Sequence, residues 1–166
     1  MSIIITVWLV VFSIAGLAFP QTPVLQVDDL RRLTGTQWTG ALTYMDYRSN
    51  KQVSISSNLT VTQVAGDEMS WVFAYEYPHE PKADSKHTVT ITEGGTRVDG
   101  KQVTERILLD ADTIRIAAEQ AGTDNDRKAL LRYTYLIAPS HFSIKKEVRY
   151  EGTAEFFERN RYSWKR

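Results

Sequence analysis

The sequence predicts an all-β fold: an antiparallel up-and-down meander of about eight to ten strands, closed into a barrel, with a short N-terminal helical turn. Three observations carry this. Apolar and polar residues alternate with a period of two along nearly all of the chain beyond Gly35. Short polar turn sequences such as "TEGGT", "VDGK" and "DAD" separate the alternating runs. No long crossover connection interrupts the order, and a long meander removes its exposed edges by closing on itself.

The elements follow in order. Residues 1–27 carry no charged side chain, and residues 3–19 ("IIITVWLVVFSIAGLAF") form an apolar run. Its length suits the core of a signal peptide and falls slightly short of a membrane span. Gly16 and Ala18 are small residues placed for cleavage after Ala18. No Lys or Arg precedes the run, so an uncleaved membrane anchor is the alternative. The chain therefore divides into a signal peptide (1–18), an extended leader with two prolines (19–27) and a barrel domain (28–166). The expected location is secreted or periplasmic.

"VDDLRRLTG" reads as one helical turn, with Asp28 or Asp29 as cap, Leu30 and Leu33 on one side and Gly35 as stop. Strand patterns follow. Trp38, Leu42 and Tyr44 share a face, as do Val53, Ile55, Leu59 and Val61. In "MSWVFAYEY", Met69, Trp71, Phe73, Tyr75 and Tyr77 alternate with Ser70, Val72, Ala74 and Glu76. His87, Val89 and Ile91 align next, then Ile114 and Ile116. Leu131, Tyr133, Tyr135 and Ile137 form one stripe, and Phe142, Ile144, Lys146, Val148 and Tyr150 another. The final run places Phe156, Glu158, Asn160, Tyr162 and Trp164 on one face.

Composition limits the function. Formal net charge is zero and the pI is near 6.8, with no dense basic cluster, which argues against a nucleic-acid partner. The chain has no cysteine, so disulfides, thiolate metal sites and thiol catalysis are excluded. Its three histidines (His79, His87 and His141) lack metal-site spacing, and no metal is expected. "GTDND" lacks the closing Glu of a calcium loop, and no nucleophile elbow occurs. No catalytic residue stands out. The aromatic stripes point to a ligand wall or to a side-chain-filled core. The candidate ligand-binding residues are Trp71, Phe73, Tyr75, Tyr133, Tyr135, Phe156, Glu158, Asn160 and Tyr162. If the final strand turns its aromatic face inward, Glu158 and Asn160 enter the barrel, and a buried carboxylate there needs Lys146, Arg132 or tyrosine hydroxyls nearby.

A helical turn followed by Leu33-Thr34-Gly35-Thr36-Gln37-Trp38 on the first strand of a meander resembles the start of the calycin superfamily, which includes lipocalins and fatty-acid-binding proteins. The resemblance implies that Gly35 and Trp38 sit at a closed barrel end. It also implies that an arginine of the last strand packs across Trp38 and bonds to the N-terminal turn: Arg159, Arg161 or Arg166. Gln37 makes the motif one residue longer than Gly-x-Trp. The final-strand Arg-x-Tyr carboxylate anchor of the fatty-acid binders is missing, because Asn160 stands two residues before Tyr162. The opening is also similar to that of nitrobindin-like haem barrels, which would make His141 a haem ligand. No cofactor is otherwise expected. The pattern is most similar to secreted bacterial lipocalin-like proteins of undefined biochemistry.

The expected function is binding of a small apolar or amphipathic ligand, with membrane contact only through the N-terminal segment if it stays uncleaved. A structural or protein-interaction barrel with a filled interior is the alternative. An enzyme using Glu158 as acid or base is a weaker one.

Overall fold

A computed structural model describes residues 22–49 and 51–166. The signal-peptide reading, the cleavage point and the first part of the leader lie outside the described residues. One short helix, α1 (Val27–Arg31), precedes ten strands. These are β1 (Gln37–Asp46), β2 (Lys51–Gln63), β3 (Ser70–Glu76), β4 (Ser85–Thr92) and β5 (Arg97–Val98). They continue with β6 (Lys101–Leu108), β7 (Ile114–Asp124), β8 (Arg127–Ile137), β9 (His141–Tyr150) and β10 (Phe157–Lys165). Each strand pairs antiparallel with the next, and β10 returns to β1, closing the barrel.

The seam between β1 and β10 depends on Gly40, which pairs with Trp164. A Cβ at Gly40 would fall on the Ser163 carbonyl oxygen and 2.8 Å from the Trp164 Cα. Only glycine lets these two backbones approach so closely.

Alternation decides which side chains enter the barrel. Rows run across neighbouring strands. Ile137, Phe142 and Trp164 form the lowest of three successive rows, Tyr135, Ile144 and Tyr162 the next, and Tyr133, Lys146 and Asn160 the third. The lowest row packs with Trp38, Trp71 and Phe73, and these large side chains are fully buried. Phe142 meets Trp38 edge-on at 6.1 Å and stacks on Trp164 at 5.3 Å. Such packing makes this the energetic centre of the fold, at roughly 1.5–3 kcal/mol for each buried side chain of this size. Among the described residues, the indole N–H groups of Trp71 and Trp164 have no hydrogen-bond partner.

Helix α1 covers this end, burying Leu30 and Leu33. Its cap is Gln26 rather than Asp28 or Asp29. Asp29 instead accepts the Gln26 backbone N–H at 2.9 Å and binds Arg106 on β6 through both carboxylate oxygens, at 2.8 and 2.9 Å. Asp29 is 1% exposed, so the helix is pinned to the barrel by a buried ion pair.

The wall is uneven. β5 is two residues long, and Asp99 and Gly100 turn it directly into β6. Both have positive φ, 51° and 74°, as a type I′ hairpin turn requires. On its β5 side, β4 pairs only at Ile91 and Thr92, while β6 first meets β7 at Gln102 and Glu119.

Candidate functional site

A cavity of about 330 Å³ lies above the aromatic floor. Phe73 and Tyr75 reach it from β3, His87 and Val89 from β4, Asp99 from the hairpin turn and Lys101 from β6. Gln120 comes from β7, Tyr133 and Tyr135 from β8, Ile144 and Lys146 from β9, Asn160 and Tyr162 from β10. The lower wall is aromatic: Tyr162 lies 5.3 Å from Tyr75 and stacks on Trp164 at 5.1 Å. Tyr77, from just beyond β3, joins its hydroxyl to that of Tyr162 at 2.7 Å.

Burial raises the pKa of Tyr75, Tyr135 and Tyr162 above the ordinary phenol value. Tyr133 is raised for the same reason. These phenols stay neutral at physiological pH and keep a proton to donate. Tyr135 is 6% exposed and lines the cavity.

The upper wall is charged. Asp99 accepts from Lys101 Nζ at 2.5 Å and bonds to His87 Nε2 at 2.8 Å. Burial pushes the Asp99 carboxyl up, but the bonds from Lys101 and His87 outweigh it and hold the group below the usual carboxylate range. Lys101 also lies over the Tyr133 ring, 4.9 Å from its centroid. Lys146 faces Asp124 at the longer distance of 3.7 Å.

Of the residues singled out in the sequence, Phe73, Tyr75, Tyr133, Tyr135, Asn160 and Tyr162 line this cavity. Trp71 is sealed in the core. Phe156 and Glu158 do not share a face with Asn160, because a register shift between Glu158 and Asn160 reverses the alternation of β10. Phe156 precedes the strand and lies under the guanidinium of Arg132 at 3.8 Å. Glu158 points outward and binds Arg161 at 2.6 Å, with both side chains well exposed. An acid–base role for Glu158 inside the barrel therefore has no geometric basis.

At the closed end, one of the three candidate arginines meets Trp38. Trp38 donates its indole N–H to the Leu33 carbonyl at 2.9 Å, and Gly35 lies in the turn between them. The arginine across Trp38 is Arg166, 4.5 Å from the ring centroid, with a further bond to the Arg32 carbonyl at 3.3 Å. Arg159 sits at the opposite end, against Asp124 and Tyr47, and Arg161 lies on the outer surface.

His141 opens β9 opposite Lys165, at the closed end and out of phase with the inward Phe142. It offers no ring nitrogen to the cavity, so the donor set does not fit a haem held by this residue.

Sequence reasoning passed over Asp99, Lys101, His87, Gln120, Val89 and Ile144 as site residues. The signal for the first two was "VDGK": a two-residue Asp-Gly turn places the residues on either side of it opposite one another.

No protein-family model matches the chain, and no curated protein matches it. Among solved structures, the crystal structure of Rv2717c from M. tuberculosis superposes with a TM-score of 0.56 at 12% identity. The match covers 87% of this chain and 99% of that one. The likeness is one of fold.

Proposed function

We propose that this chain is an exported barrel that binds a small amphipathic molecule, and that it is an outlying relative of the calycins. The cavity carries the reading, with an aromatic lower wall that includes Tyr135 and Tyr162 and a charged upper wall that includes Lys101 and Lys146. The cavity volume lies at the small end of the roughly 300–1,000 Å³ range of ligand pockets. The apolar part of the ligand lies against Tyr75, Tyr162 and Phe73. Its polar part is an acceptor, because neutral phenols, Lys101 and Lys146 all present donors. The contact of Trp38 with Arg166 and the turn after α1 supports the calycin relationship. The apolar run of residues 3–19 supports export.

The test is native mass spectrometry of the protein purified from its own compartment. A reproducible small-molecule adduct, released on unfolding and weakened by Tyr135→Phe, is expected. Repeated recovery of the bare chain would overturn the reading in favour of a filled structural barrel.

A further inference from the structure

Barrels of this kind have an obvious opening at the end away from the helix, but here that end is bridged. Arg159 on β10 reaches Asp124 on β7 at 3.3 Å and lies 4.1 Å from the Tyr47 ring centroid in the β1–β2 turn. Tyr150 donates its hydroxyl to the same Asp124 at 3.1 Å. Beneath these contacts Leu131 and Val148 are buried, and on the other side Tyr77 crosses to Tyr162.

The wall, by contrast, is interrupted. Residues 85–89 of β4 pair with β3 alone, and residues 120–124 of β7 pair with β8 alone. Between them the β5–β6 hairpin stops short at Asp99 and Gly100. Among the described residues, no strand fills the space above that turn. Five unpaired residues of extended chain make an interruption about 16 Å tall. The cavity residues at its edge are His87, Asp99, Lys101 and Gln120. His87 belongs to the inward phase of β4, yet its side chain is 55% exposed, which fits a position at an opening. Asp99 ties His87 on β4 to Lys101 on β6 along the lower edge of this interruption.

We infer that the ligand enters through the wall, between β4 and β7, and that the His87–Asp99–Lys101 bridge is the gate. The inference rests on the binding function proposed above. It also refines the ligand class. A molecule admitted here meets Asp99 and Lys101 first and the aromatic layer last, so its apolar end leads. A polar end too large for the cavity can remain in the opening.

Stopped-flow binding of anilinonaphthalene sulfonate tests the route. Asp99→Asn keeps the Asp-Gly type I′ turn in its Asn-Gly form while weakening the bridge. It should raise the association and dissociation rates together, by about threefold to tenfold. Gln120→Trp should slow both by narrowing the opening. Arg159→Ala, which unlatches the end, should leave both rates as in the wild type. The route is overturned if Arg159→Ala alone accelerates binding, if none of the three changes it, or if the threshold variants alter dissociation only. Absence of saturable binding by the wild-type barrel would instead overturn the function beneath the inference. Thermal unfolding of each variant establishes that it is folded.

Discussion

At the closed end Trp38 is fully buried and gives its N–H to Leu33, with Arg166 across its ring. Halfway up the same barrel Tyr135 is buried almost as completely, and its side chain lines the cavity. Both residues are amphipathic aromatics on inward-facing strand positions. The difference lies in what completes them: the turn after α1 and a terminal arginine in one case, open space in the other. A region packed against the chain's own side chains serves the fold, while one that faces a cavity is available to a ligand. The charged upper wall lies between these cases, since Asp99 is satisfied but by two groups at the edge of an opening.

The largest effect should come from the closed end. Phe142→Ala removes the side chain that joins Trp38, Phe73 and Trp164, and should cost about 3–5 kcal/mol in denaturant unfolding. Arg106→Ala should come next, at about 3 kcal/mol, because it strands the buried Asp29 carboxylate. Removing Asp29 as well should recover part of that loss, and a double-mutant cycle would show it. Arg166→Ala should lose about 1–2 kcal/mol, from one ring contact and two carbonyl bonds.

Tyr135→Phe is the sharpest test of the contrast. It should change stability by less than about 1 kcal/mol, because no protein bond is broken, and yet lower ligand occupancy in the native mass spectrum. A large loss of stability without loss of ligand would erase the distinction between the two regions.

The smallest effect concerns Asp99. Its carboxyl is held below its unfolded value, so its stabilisation is present above the usual carboxylate range and fades as the pH falls through its folded pKa. The stability gap between the wild type and Asp99→Asn should therefore be steady near neutrality and close in acid. Thermal unfolding across that pH series measures it.

Much of this was legible because alternation is a local property. The stripe from Trp71 to Tyr77 and the run from Leu131 to Ile137 gave both strand and inward face without knowledge of their neighbours. Where alternation breaks, the sequence carries little trace. The shift between Glu158 and Asn160 has no glycine or proline to mark it; it follows from the pairing demanded by β9, and it moved Glu158 outside. The choice of Arg166 over Arg159 and Arg161 depends on which end of β10 each occupies, which closure of the barrel decides. The cluster of His87, Asp99 and Lys101 depends on how far the β5–β6 hairpin reaches, a length that no periodicity encodes.

The brevity of β5 also has a dynamic consequence. The ring is continuous there through only two residue pairs on each side, whereas β7 and β8 pair over their whole length. Cooperative sheet loss should therefore begin at this link, as a local unfolding far below the free energy of global unfolding. Amides of Val98 and Lys101 would exchange with deuterium ahead of those in β7 and β8. The barrel would then behave as a curled sheet with one built-in weak joint, which allows it to breathe without dismantling its aromatic floor.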